Sequence, residues 1–589
     1  MPGTPRKYGL TLMAAAVLLF FSVILTVGES LAEEFEVMGG NKLTSVGYLK
    51  QKVQAGVNDP QWGKQGPYQL DGTDEGIISV ITTFETENQL ELTQNTEFAF
   101  TFRWETDNAD TFHDDSMWKR GSGLAWGKFR NEEDIGYDDC LDDMIRALSF
   151  AYSGKYFSFR VGKQQLGWGE ADGLRMMNNF MGFDMRKDFI LRDSDEGYSQ
   201  SNIALWMLKT DFTPGFNFGN ELGFQNLDLE LSWTPDERNN RNRQSVGPRN
   251  GGPWALPLPD LILPLSQLTL TDDWDDFNFE DGSYGSRLKG VWKDVFFTIN
   301  GYYGWSKSFV FGNSGLPGGN VGFVSPGFVG NVMDAYPFDI SGGLPPAFAG
   351  AAPYGGLSLT LEKECGRSKF VGFTASREIP IKAIANALGQ YTYPVIRVEA
   401  LYDMDVAFNI GVNNPDTEIF SDWIWFNHIE HRDIYRYLIG IDWNLHMGFI
   451  NPDDDVWMSA QFAQNRIDGS LYSKVPTGDF TFGGAGFAYS GGERQRLQYA
   501  PYFWFPESVE TFTSLLLKTS YLDDDLHFQV LYVHDWTYDS FWVKPKAILD
   551  IGNHWRWEVG GYIIQGDREQ QMGIFENLDS VYTMLTYQW

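Results

Sequence analysis

Ionisable side chains recur at every second position in several short stretches of this 589-residue chain. Arg103 lies between Glu97 and Glu105, and the positions interleaved with them are Phe98, Phe100, Phe102 and Trp104. Asp228 and Glu230 alternate with Leu227, Leu229, Leu231 and Trp233. Arg397, Glu399 and Asp403 alternate with Ile396, Val398, Ala400, Tyr402 and Met404, and Arg436 and Asp442 alternate with Tyr435, Tyr437, Ile439 and Ile441. Arg160, Arg287, Arg556 and Glu558 occupy equivalent positions. Charges of mixed sign at this spacing do not form a bond-breaking constellation. They can line a wet cavity, meet polar groups of a passing solute and pair across neighbouring strands. A conduit selecting hard for one ion sign would show rings of one charge. Solvating and bracing a wall is the plainer use of the same residues.

Catalytic motifs are missing. The chain has no Gly-x-Ser-x-Gly elbow, no Gly-Lys-Ser/Thr phosphate loop and no His-Glu-x-x-His zinc helix. His428, Glu430 and His431 stand close in sequence, but ligands three apart converge only on a helix. Gly483, Gly484 and Gly486 lack the strand-to-helix context of a dinucleotide fingerprint. Two cysteines, Cys140 and Cys365, exclude a disulfide scaffold and a multihaem protein. No enzyme and no cofactor is expected.

The elements that position the alternating charges must be strands, because successive strand side chains point to opposite faces. Such strands build either a soluble sandwich, with its apolar face inward, or a membrane barrel, with its apolar face on lipid. Composition favours the barrel. Hydrophobic residues make up 43%, too few for a bundle of membrane helices, while aromatics reach 16% and glycines number 63. Trp104, Trp233, Trp443, Trp536 and Trp555 end their segments, where indole rings partition to the headgroup level. A net charge of −33 excludes a basic nucleic-acid footprint.

Arg6 and Lys7, the apolar run Leu10–Val27 and the small residues Ser30 and Ala32 have the layout of a cleaved signal peptide over residues 1–32. The stretch Val581 to Trp589 alternates to a final aromatic residue, like the terminal recognition strand of bacterial outer-membrane proteins. Between them about sixteen strands are expected within residues 91–589. Tight connections such as Gly154-Lys155, Lys293-Asp294 and Gly552-Asn553 alternate with long ones, including 169–202, 234–283 and 307–366. Leu357–Glu362 alternates too, but counting it as a barrel strand would reverse every later loop, so it is assigned to a loop. Residues 33–90 are expected to form a periplasmic arm or an inward plug, although Gly76–Phe84 could itself be a strand.

Two long connections are apolar, Pro253–Leu270 and Ser308–Leu357. Exposed apolar stretches mark contact sites, so these either meet a greasy solute or partner at the mouth or pack on each other. A family resemblance enters at Gly162-Lys163-Gln164-Gln165-Leu166-Gly167-Trp168-Gly169-Glu170. A strand ending in Gly-Arg/Lys-Gln, followed by Trp-Gly-Glu and a long loop, resembles the proteobacterial family catalogued as domain of unknown function 1302. That family usually has Asn-Pro shortly afterwards, whereas this chain has Asn178-Asn179-Phe180. The resemblance implies an outer-membrane β-barrel handling hydrophobic compounds together with envelope transport partners. A loop held after that strand could fold inward, with Arg175, Arg186, Arg192 and Asp193 as constriction groups, or stay outside.

The sequence therefore predicts an all-β transmembrane antiparallel barrel in the outer membrane of a Gram-negative cell. Its expected partners are membrane lipid, a small apolar or amphipathic solute and a periplasmic or envelope transport protein, with no nucleic acid. The alternative is a structural barrel anchoring a partner complex, such as the sheath of an electron conduit, without an open pore.

Overall fold

The computed structural model describes residues 34–37, 41–57, 77–107, 144–169, 201–213, 223–236, 277–308, 366–380, 389–411 without 391, 424–474, 478–482, 485–489, 494–499, 506–566 and 579–589, with short pieces between them. The signal-peptide stretch, both cysteines, Glu170, Arg175, Arg186, Arg192 and Asp193 lie outside the described residues.

Eighteen strands close into a ring. In chain order they are β1 (Asn41–Gly56), β2 (Ile77–Thr93), β3 (Thr96–Asp107), β4 (Ile145–Ser153), β5 (Phe157–Gln164), β6 (Leu205–Phe212), β7 (Phe224–Thr234), β8 (Ser283–Trp292) and β9 (Val295–Trp305). They continue as β10 (Arg367–Glu378), β11 (Val395–Gly411), β12 (Ile424–Leu445), β13 (Val456–Ile467), β14 (Val509–Tyr521), β15 (Leu526–Asp535), β16 (Ser540–Ile551), β17 (Trp555–Gln565) and β18 (Ser580–Gln588). Each pairs antiparallel with its sequence neighbour, and β18 pairs with β1 from Tyr48–Gln588 to Gly56–Ser580, so no edge remains in the ring. Closure leaves no unpaired backbone facing hydrocarbon, which is the condition for crossing a membrane with strands. Among the described residues no helix is long and apolar enough to cross one.

The sixteen segments expected from alternation coincide with β3–β18. The expected count was two short: of the stretch 33–90 expected as an arm or plug, the described residues 41–56 and 77–90 belong to β1 and β2, and the alternative strand at Gly76–Phe84 falls, from Ile77, within β2. Polar residues on the outer face hide these strands in the sequence. Outward Gln51 accepts from Thr82 Oγ1 (2.7 Å), and Ser45 Oγ donates to Asn88 (2.9 Å). Each polar group is satisfied within the wall, so the outer face tolerates it.

Register fixes which face is which. Phe98, Phe100 and Phe102 point outward while Glu97, Thr101 and Arg103 point inward, and the cross-strand partners follow the same parity around the ring. Outward Val161, Leu231, Ile299, Val371, Phe373, Ile439, Val559 and Leu585 are each more than a third exposed. Inward Thr298, Thr374, Glu399 and Glu230 are between 0 and 2% exposed. This inverts the order of a water-soluble fold and makes the belt a surface for hydrocarbon. Aromatic residues mark both rims: Trp292 on Phe224 and Trp555 on Tyr587 at one, Tyr402 on Tyr435 at the other. Ile299→Arg in the middle of β9 is expected to destabilise the vesicle-embedded barrel by about 2–4 kcal/mol, the range for a mid-membrane cation. A shifted urea midpoint would check it.

The tight connections 94–95, 154–156, 293–294, 522–525 and 552–554 share one rim with the ends of the ring. Lys293 and Asp294 both take positive φ (48° and 66°), the geometry of a two-residue hairpin turn. The opposite rim carries the long connections, and also the four-residue turn 536–539. Leu357–Glu364 stays out of the ring, as expected, and pairs in parallel with Leu265–Asp272. Val310–Phe311 and Val321–Phe323 pair antiparallel with the same Leu357–Glu364 strand, so it joins pieces of both apolar connections in one small sheet outside the ring.

Candidate functional site

The lumen is where the alternating charges converge. Arg103, 5% exposed, meets Glu85 at 2.9 Å and donates to the Tyr48 hydroxyl at 3.2 Å. Arg397 chelates Asp442 (2.7 and 2.8 Å) and donates to Ser459 (3.0 Å), while Arg436 pairs with Asp403 at 3.0 Å. Arg556 grips Asp550 with two bonds, of 2.6 and 2.9 Å. Glu558 lies 3.6 Å from Lys546 and accepts from the Tyr582 hydroxyl at 2.6 Å. Arg160 is the loosest of the set, half exposed and 3.9 Å from Glu97. Opposite signs meet across adjacent strands, so most of these charges brace the wall.

The densest group sits on β6–β8. Lys289 reaches Asp228 (2.9 Å), Glu230 (3.2 Å) and Asp211 (3.4 Å), and Lys209 reaches Glu230 (3.3 Å) and Asp211 (3.4 Å). Two ammonium groups thus serve three carboxylates, a network in which each charge is held by more than one partner. Lys209, Asp211 and Lys289 were missed in the sequence. Strand β6 reads Leu-Trp-Met-Leu before its charges, so it is apolar on both faces and shows no alternation.

Onto Glu230 docks the segment after β5. Gly162 takes φ +126°, and a Cβ there would overlap the Leu148 carbonyl. Gln164 Nε2 donates to the carbonyls of Arg160 and Met207, both at 3.2 Å, which fastens the strand end. The chain then turns into the lumen. Trp168, 2% exposed, donates its indole N–H to Glu230 at 2.9 Å, and Gly169 (φ +93°) packs beside the Glu399 carboxylate. The resembling motif therefore builds a hinge and an anchor.

From that anchor the segment crosses the lumen. Met177 and Phe180, both 0% exposed, pack with Tyr302, Phe370 and Leu401 on β9–β11. Inward Gly285 and Gly372 leave room for the Trp168 and Phe180 rings and for the Met177 thioether. Met176 packs with Leu438 and Ala463 on β12 and β13. Phe183 joins Leu516, Leu531, Val533 and Trp542 on β14–β16. Bonds from Asp184 N to Ser201 O and from Ile203 N to Gly182 O, both 2.8 Å, then return the chain to the wall. Of this loop, the described residues 174, 176–177 and 180–184 lie inside the ring, while Arg175, Arg186, Arg192 and Asp193 lie outside the described residues. What holds the inward residues is an apolar contact set the sequence reading did not single out, since inward Leu205, Met207, Phe370, Leu438 and Trp542 look the same as lipid-facing residues.

Near the long-connection rim, Glu510 accepts from the hydroxyls of Tyr499 and Tyr538, each at 3.3 Å. Burial, and then the Glu510 charge, push both phenols up, so they stay protonated and donate. Tyr499 ties the connection 468–508 to the wall through this bond. Glu430 and His431 are successive residues of extended β12 and so face opposite ways, and Glu430 is bonded to Arg432 and Ser473.

We expect Trp168→Phe to leave a buried carboxylate one donor short, at a cost of roughly 1–3 kcal/mol to the docked segment. Local opening should rise about tenfold to a hundredfold. Trypsin cleavage after Arg175, Arg186 or Arg192 would report it.

A closed ring with an apolar exterior, a charged lumen and a segment folded across it defines a transmembrane β-barrel. Among solved structures the chain is similar to Acinetobacter baumannii OccAB3 (TM-score 0.42, 9% identity, 93% of this chain and 99% of that one). It is also similar to the outer membrane channel DcaP of Acinetobacter baumannii (0.36, 7%, 94% and 99%) and to Salmonella typhi OmpF, solved in complex with daunomycin (0.35, 8%, 95% and 100%). No protein-family model and no curated protein sequence matches the chain.

Proposed function

We propose that the protein is an outer-membrane channel through which a small apolar or amphipathic solute passes, exported there by its signal peptide. The observation that carries this reading is the packing of the described residues between 166 and 183, from Met177 and Phe180 on the β9–β11 wall to Phe183 on the β14–β16 wall. Barrels of sixteen to eighteen strands enclose an aqueous channel, and a segment crossing one narrows the bore and so sets what passes. Support for the solute class comes from the apolar connections at the mouth, pieces of which, Leu265–Asp272 and Val321–Phe323, join Leu357–Glu364 in a sheet beyond the ring. On this reading the chain is a relative of the family catalogued as domain of unknown function 1302, and an envelope partner receives the solute on the tight-turn side. The mature protein reconstituted in planar bilayers should give stepwise conductance. A barrel that inserts and folds yet gives no steps would instead be a sealed anchor for a partner complex.

A further inference from the structure

We propose that the outer wall carries a groove for one acyl chain of a membrane lipid, with the lipid's anionic headgroup held at Lys369. Large side chains cover most of the belt, but the cross-strand pair Ser286–Gly301 sets two small residues side by side. The next outward pair toward the long-connection rim is Tyr284–Tyr303, with Trp233 beside it, while Leu231 and Val371 flank the small pair itself. The groove so formed has a volume of about 630 Å³ and runs across the strands from Leu208 and Thr210 on β6 to Lys369 and Met404 on β10 and β11.

Its position names its occupant. Leu231, Ile299 and Phe373 around it are each at least 40% exposed, so at this height the medium against the wall is hydrocarbon. An unfilled dent there would forgo the dispersion contacts of its whole lining. An acyl chain is slender, conformable and already present at high concentration. The cation at the groove's end identifies the other half of the ligand. Lys369 is 42% exposed on the outer wall, with its ammonium 2.8 Å from Asp405, whose backbone N–H donates to Asp433. Two positions nearer the rim, Arg367 lays its guanidinium over Trp305 (4.2 Å) and Tyr303 (5.5 Å). Long cations and aromatic rings at such a place sit at headgroup depth. An ammonium carries three donors, so a phosphate can bind Lys369 beside Asp405.

The proposal rests on the lipid-facing wall and not on conduction. Its test is native mass spectrometry of the whole barrel, released from vesicles of equal phosphatidylglycerol and phosphatidylcholine. The wild type should keep one lipid, mainly phosphatidylglycerol. Ser286→Leu fills the groove and should lower that occupancy at least tenfold. Lys369→Glu should keep a chain in place but lower the preference for phosphatidylglycerol about fivefold or more. Heat-shifted gel migration confirms that each variant is folded. Three results would overturn the groove: a wild type without lipid, equal retention by Ser286→Leu, or a wild-type oligomer that Ser286→Leu converts to monomers, which would make the dent a contact between copies. An unchanged headgroup preference in Lys369→Glu would overturn the role of Lys369.

Discussion

Deletion of residues 580–589 should leave no heat-stable barrel. Strand β18 pairs along its length with β17 on one side and β1 on the other. Without it both neighbours present a row of unpaired N–H and C=O groups to hydrocarbon, at several kcal/mol for each group. That sum exceeds the about 5–15 kcal/mol by which folded domains are stable. A milder lesion at the same seam is Gly47→Val. The Trp589 backbone exchanges bonds of 3.1 and 3.3 Å with Gly47, and its indole stacks on Phe84 at 5.7 Å. A Cβ at Gly47 would overlap that indole and the Glu85 carbonyl. The variant should close but lose heat resistance. Gel migration with and without heating, together with circular dichroism, distinguishes the outcomes. A truncated chain that still gave the folded band would mean that β17 and β1 can pair without β18.

Replacing residues 170–200 by a short Gly-Ser linker should raise single-channel conductance severalfold, to the order of tenfold. The segment's buried side chains fill the middle of the bore, and their removal returns that volume to water. The wall should survive, because Arg103, Arg397, Arg436 and Arg556 keep their carboxylate partners on neighbouring strands. Glu230 would keep the Trp168 donor, which lies outside the replaced stretch, together with Lys209 and Lys289. Solute discrimination should fall as conductance rises. Equal conductance before and after excision would show that the conducting path avoids this segment, and the reading of the segment as the constriction would be lost.

Which parts of the molecule the sequence discloses follows from the physics of each part. Strands such as β3, with Phe98, Phe100, Phe102 and Trp104 opposed by Glu97, Arg103 and Glu105, face two different solvents and write that difference at period two. Strands β1 and β2 face the same two solvents, but Ser45, Gln51, Thr82 and Asn88 pair on the lipid side and erase the signal. Wall charges such as Arg397 and Asp403 were legible because only a wet lumen tolerates them along an otherwise apolar strand. The residues that seat the crossing segment were not, because Met177, Phe370 and Leu401 are apolar contacts inside a lumen otherwise marked by charge. Gly162, Gln164, Trp168 and Gly169 stood out as a motif, but their task became visible only when Glu230 and Glu399 were placed opposite them. Arg175, Arg186, Arg192 and Asp193 remain expectations of the sequence alone.

The even number of strands brings Asn41 and Gln588 to the same rim, the one that carries the tight turns. A reporter attached next to Asn41 or Gln588 would therefore sample one compartment, and an epitope grafted into 536–539 the other. Two tags and one graft would establish the barrel's orientation in a living cell.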